Sequence, residues 1–235
     1  MRPNVPDPLF HALALTLTLV AAGCAPSYAP PPRTAHDGAA GRLEAREASF
    51  GGAYQFAGTS GEARVRLPAT DRLWLEAGGT FGESFALGTL GARINAYDSG
   101  RMPVRVVLDV DFGVGAGLGG ELCGNGASGE SSCDGGRAQA DGRGWLDRFA
   151  YGGYLGGGIA LHVTRGFAPF ARVRLQLSET TNVPTTYWGS AVAGVDFRYE
   201  SVSWYGAIGV GGFTNAFDDE AGLLLETGLT FYVGT

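Results

Sequence analysis

Lysine is absent from the 235 residues; all 17 basic residues are arginine, set against 23 acids for a formal net charge of −6. That balance argues against nucleic acid as a partner, because binding a phosphate backbone needs clustered positive charge. Charged residues make up 17% of the chain, below the roughly 25% of an ordinary soluble domain. Histidine is scarce, with only His11, His36 and His162. P-loop, HExxH and CxxC patterns are all missing, so neither a metal nor a cofactor is expected. The apolar run at 10–22 is short for a membrane-spanning helix, which needs about 20 residues. The 40 glycines show no collagen period and no long Gly/Ser tract, and sit inside alternating apolar runs. Low-complexity disorder is therefore not expected.

What is present is a repeated two-residue alternation. In the stretch 104–116, Val104, Val106, Leu108, Val110, Phe112, Val114 and Ala116 share one parity, while Arg105, Asp109, Asp111 and several glycines share the other. Side chains of a strand alternate across the sheet, so this stretch has one greasy and one charged face. Ten segments carry the same signature, at about 47–57, 61–67, 72–81, 85–97, 103–116, 149–163, 169–178, 186–199, 203–213 and 222–233. Each has one parity free of Asp, Glu, Arg and His. A sheet of this kind closed on itself predicts an all-β, antiparallel up-and-down barrel with its apolar face toward lipid. The second segment is short for a spanning strand, which keeps eight strands as the runner-up count.

The connections and aromatics agree with that reading. Short turns at 68–71, 98–102, 164–168 and 200–202 alternate with connections that include 180–185, 215–220 and a long one at 118–148. Short periplasmic turns and longer outer loops are the barrel pattern. Tyr54, Phe56, Phe81, Phe149, Tyr151 and Tyr187 fall near one set of strand ends, and Tyr97, Phe197, Tyr199, Trp204 and Phe231 near the other. Two such belts suit the two membrane interfaces.

Sorting charges by face places Arg64, Arg66, Arg93, Arg105, Arg172, Arg174 and Arg198 in the lumen, opposite Glu47, Glu62, Glu76, Asp109, Asp111, Asp196 and Glu226. Seven against seven in a narrow barrel predicts a paired, self-filling interior, since an unpaired buried charge is costly. The other reading is a charged permeation path. Surplus acid falls in the outer loops, densest at Asp218-Asp219-Glu220, either as a solvated surface or as oxygen ligands for a divalent cation. Outward Leu108 and Ile159 should not accept Arg in lipid, whereas inward Gly113 should accept Ser.

These features resemble small bacterial outer-membrane β-barrel proteins over 47–235, and Gly228-Leu229-Thr230-Phe231-Tyr232-Val233 is similar to the C-terminal signal read by barrel-assembly machinery, though the chain ends Gly234-Thr235 rather than on an aromatic. Val20-Ala21-Ala22-Gly23-Cys24 resembles the lipobox of bacterial lipoproteins, with Ala21 where Leu is usual. The resemblance implies a signal peptide at 1–23, lipidation of Cys24, and outer-membrane lipid and the assembly machinery as partners. An ordinary secretory signal is the alternative. Residues 24–46, with Pro26, Pro30, Pro31 and Pro32, read as an extended, unstructured tether. In an exported protein the remaining pair, Cys123 and Cys133, predicts a disulfide, closing a loop with a gain of about 3 kcal/mol.

The expected protein lies in the bacterial outer membrane with both termini periplasmic. It serves as a scaffold or surface-display barrel whose 118–148 loop meets an extracellular partner. A small passive, porin-like pore and a lipid-tethered, lipocalin-like soluble barrel are the alternatives. Catalysis is not expected: His11 lies in the leader, His36 in the tether, and His162 far from Ser178 and Ser190, so no serine has a base within reach.

Overall fold

The computed structural model describes residues 28–39, 46–55, 58–82, 85–100, 104–119, 149–180, 183–216 and 219–233. Cys24, Cys123 and Cys133, with the lipidation and disulfide expected of them, lie outside the described residues. Ten strands are present: β1 Arg46–Gln55, β2 Gly58–Pro68, β3 Leu73–Gly82, β4 Phe85–Asp98, β5 Arg105–Gly119, β6 Phe149–His162, β7 Phe167–Thr180, β8 Val183–Tyr199, β9 Val202–Thr214 and β10 Asp219–Val233. Each pairs antiparallel with its neighbours in sequence, and β1 pairs with β10 to close the barrel. The ten segments seen in the alternation correspond one to one with these strands. The eight-strand count fails because β2 begins at Gly58, earlier than its apolar pattern shows, and pairs with β1 from there.

The alternation sets the faces. Outward Phe50, Leu75, Leu90, Val114, Leu175 and Val210 are each more than half exposed, while inward Arg64, Glu76, Asp111 and Arg174 are buried. Leu108 and Ile159 point outward as expected. In β4 the parity slips once: a register shift between Asn95 and Tyr97 turns Tyr97 outward, as a bulge does by adding an unpaired residue.

One end of the barrel carries the start of β1, the end of β10 and the connections 69–72, 99–104, 163–166 and 200–201; we call it the turn end. The opposite, loop end carries 56–57, 83–84, 120–148, 181–182 and 215–218. The length asymmetry therefore rests on 120–148. The connection expected at 180–185 is mostly strand, because β-branched Thr180 and Val183 continue the ladder and pair with each other.

The stretch 28–39, expected as unstructured tether, is instead seated inside the barrel, and every residue in it is buried. Tyr28 packs against Trp188 and Phe213 near the loop end. Ala39 packs with Ala168 and Tyr205 toward the turn end. The segment thus runs the length of the lumen, from the loop end toward the turn end where β1 begins. The barrel's own ends, at β1 and β10, share the turn end, whereas Tyr28 lies at the other.

Small residues make the passage. A Cβ on Gly115 or Gly152 would approach Pro32 to 3.1 or 2.8 Å, and one on Gly119 would come within 3.2 Å of Pro30. Gly113 is tighter: a Cβ there would overlap the Leu90 carbonyl oxygen and sit 2.6 Å from the Tyr154 hydroxyl. The expectation that Gly113 accepts Ser is therefore corrected, since inward does not mean roomy in a filled lumen. Gly113→Ser should destabilise the barrel by about 1–3 kcal/mol through overpacking. Gly88→Ala, whose new Cβ would meet only the Ala116 carbonyl oxygen at 3.7 Å, should be nearly silent. Denaturant unfolding of the two variants checks the contrast, and equal effects would contradict the packing assignment.

Candidate functional site in the barrel lumen

A polypeptide passing through a closed barrel must satisfy its backbone with whatever the wall offers. The sequence of the segment reduces that demand, because Pro30, Pro31 and Pro32 bring no N–H. Much of the rest is met by wall side chains. Ser178 Oγ and Trp188 Nε1 donate to the Ala29 carbonyl at 2.8 and 3.1 Å. Thr80 Oγ1 donates to Pro32 O at 2.9 Å. Gln176 grips Arg33 from both sides, accepting its backbone N–H at 2.9 Å and donating to its carbonyl at 2.8 Å. Arg174 donates to Ala35 O at 2.6 Å, and Ala39 N–H donates to Asp196 at 3.1 Å.

Two charges of the segment organise the interior. The Arg33 guanidinium donates to Glu62 at 3.2 Å, Asp111 at 2.9 Å and Asp37 at 2.8 Å, with Glu76 3.7 Å away. It also lies 5.1 Å from the centre of the Tyr154 ring, a favourable place for a cation. Asp37 takes Arg64 at 2.7 Å, Arg66 at 2.5 Å and Arg93 at 2.9 Å in addition to Arg33. Its φ of 69° is in the left-handed region, which Asp tolerates better than most residues. Four guanidiniums therefore hold one carboxylate in a backbone conformation that costs energy.

Strand register builds the rest. Glu47, Arg66 and Glu76 stand opposite one another across β1, β2 and β3, and Arg66 bridges Glu47 at 2.9 Å and Glu76 at 2.6 Å. Across β5, β6 and β7 the row is Asp109, Gly158, Arg172, and beside it Asp111, Gly156, Arg174. Each glycine leaves space above the middle strand, so Arg172 reaches Asp109 at 2.5 Å and Arg174 reaches Asp111 at 3.3 Å. A Cβ at Gly156 would sit 2.7 Å from the Asp111 carboxylate.

Of the fourteen charges assigned to the lumen from sequence, Glu47, Glu62, Arg64, Arg66, Glu76, Arg93, Asp109, Asp111, Arg172, Arg174, Asp196 and Glu226 are buried there. Arg105 is not in the network: as the first residue of β5 it sits at the turn end and pairs with Asp98. Arg198 is half-buried near the same end, bonded to the Tyr232 hydroxyl and over its ring at 4.1 Å. The buried wall thus holds seven carboxylates against five guanidiniums. Missed altogether were Arg33, His36 and Asp37, whose composition reads as linker.

His36 supplies a partner that the sequence withheld from Ser190. Its Nε2 lies 2.9 Å from Ser190 Oγ and its Nδ1 lies 2.6 Å from Glu226 Oε1, while the other Glu226 oxygen accepts the His36 backbone N–H at 2.8 Å. This is the order of a serine–histidine–acid set. Activity would also need donors around a developing oxyanion and a reachable carbonyl. Here the His36 ring is 1% exposed, and Glu226 spends both oxygens on His36, so the trio clasps the segment. Among the described residues no group of His, Cys, Asp and Glu is placed to hold a metal ion. No protein-family model matches the chain, and no curated protein matches it either.

Removing one member of a buried charge set costs more than the set contributes, because its partners are left unpaired. Asp37→Asn keeps size and tolerance of the left-handed backbone but removes the charge; it should destabilise the protein by about 3–5 kcal/mol. Arg105→Ala, at a partly exposed rim pair, should cost less than about 1 kcal/mol. Urea unfolding midpoints with unchanged slopes would measure both.

Proposed function

We propose that this is an outer-membrane barrel whose lumen is closed by its own N-terminal segment, serving as an anchored scaffold that presents the 118–148 loop. The carrying observation is the seating of residues 28–39 along the lumen, where every one of them is buried between the charged walls. The apolar exterior supports a lipid environment: Leu90, Leu175 and Val210 are about two-thirds exposed on a surface whose charges lie at the rims. A lipocalin-like barrel places its apolar face inside, whereas the buried face here carries the arginines and carboxylates. A passive pore requires the segment to leave. Barrel-assembly machinery inserts the chain on this reading, and Cys24 carries a lipid.

Two experiments test it. Cys24→Ser protein should stay with the outer membrane through salt and carbonate washes; recovery as a soluble periplasmic protein would eliminate the integral-barrel reading. In planar bilayers the intact protein should be silent, and a stable open channel would overturn the closed-lumen reading.

The threading bears on where Cys24 sits relative to the loop end. If the loop end faces outward, as the long connection favours, Tyr28 lies at the outer end. Cys24 is four residues earlier and within about 14 Å of it along the chain. The lipid would then enter the outer leaflet, not the periplasmic one implied by a periplasmic N-terminus. An epitope inserted between residues 26 and 27 should bind antibody on intact cells. Binding only after permeabilisation would reverse the orientation.

A further inference from the structure

We propose that the lumen is a binding site for an extended peptide bearing an arginine and, four residues on, an aspartate, with Tyr28–Ala39 as its exchangeable resident. The inference rests on the closed-barrel reading and goes beyond it: a closed lumen could equally be a permanent core. Three observations favour exchange.

First, the barrel is complete without the segment. The strands close on one another through β1 and β10. Among the described residues, the hydrogen bonds that hold Arg33 to Ala39 run to wall side chains, those of Gln176, Glu62, Arg174, Glu226, Arg172 and Asp196. Side chains can turn to water when an occupant leaves, whereas an opened β-ladder cannot stay dry.

Second, the wall carries two preformed sockets of opposite sign. Glu62, Glu76 and Asp111 with the Tyr154 ring surround a guanidinium. Arg64, Arg66 and Arg93 surround a carboxylate. Their occupants, Arg33 and Asp37, are themselves only 2.8 Å apart, so the sockets touch, and only a ligand with both charges at that spacing fills them together. Third, the passage past Gly115, Gly119 and Gly152 closes on prolines 30 and 32, which offer the wall no N–H to bond. Apart from those prolines, Tyr28 against Trp188 and Phe213 at the loop end, and Ala39 in the apolar cluster with Ala168 and Tyr205, the grip is by charge and hydrogen bonds, which water can replace.

Departure of the segment would admit water to a wall with seven buried carboxylates and five buried guanidiniums. The emptied barrel should therefore conduct, and prefer cations.

The test uses the full chain with a specific protease site placed in the 40–45 connection. After cleavage of the folded protein in detergent, a fluorescent synthetic peptide of residues 28–39 should be taken up as the cut fragment leaves. Peptides carrying Arg33→Ala or Asp37→Asn should be taken up at least tenfold less well. In bilayers the cleaved protein should open to a cation-selective conductance that added wild-type peptide closes. Retention of the cut fragment with no uptake, or unfolding on cleavage, would make the segment a fixed part of the fold and overturn the proposal. Equal uptake of wild-type and variant peptides would overturn the sockets as the recognition element. A conducting protein before cleavage would instead sink the closed-lumen reading, so the two failures are told apart.

Discussion

One carboxylate bears most of the internal order. Asp37 receives guanidinium groups from Arg33, Arg64, Arg66 and Arg93, and those arginines in turn pair with Glu47, Glu62, Glu76 and Asp111. Buried ion pairs add little net stability relative to well-packed apolar groups, but they tolerate no missing partner. A network of this kind therefore selects one register. A shift of the segment by a single residue would take Asp37 from its arginines and Arg33 from its acids at the same time. The left-handed backbone at Asp37 is sustained by that register.

The barrel is inverted relative to a soluble domain, and the inversion explains the segment's composition. A charged lumen cannot be filled by leucine or phenylalanine without stripping water from the wall charges. A filler must be narrow, must carry few donors of its own, and must return charge where the wall presents it. Three consecutive prolines answer the first two needs and the Arg33–Asp37 spacing answers the third. The clasp of Ser190 and Glu226 on His36 adds a further hold between them.

The strands were legible because the outer face and the lumen carry opposite side chains at adjacent residues, and a two-residue period carries that contrast wherever it repeats. All ten were visible, even β2, whose Gly58, Thr59 and Ser60 give no apolar cue. Twelve of the fourteen lumen charges are buried where parity puts them; Arg105 and Arg198 are not, because parity gives the face and says nothing of height along the strand. The segment was illegible for a different reason. Its order comes from tertiary partners far along the chain, such as Gln176 and Glu226, while locally it has the prolines and small residues of a linker. A signal was nevertheless present: inward glycines at 115, 119 and 152 leave space that the segment's prolines occupy, and protein interiors do not leave such volumes empty.

The mode of filling also bears on what the barrel can do. An apolar plug interlocked with the wall would be released only by unfolding, since its burial is the core itself. A plug held through side-chain hydrogen bonds and charge pairs can be exchanged, group by group, for water. The closed ladder persists through that exchange because none of its pairs involves residues 28–39. Integrity of the fold and occupancy of the lumen are then separate properties of the one chain, set by strand pairing and by the Arg33–Asp37 sockets respectively.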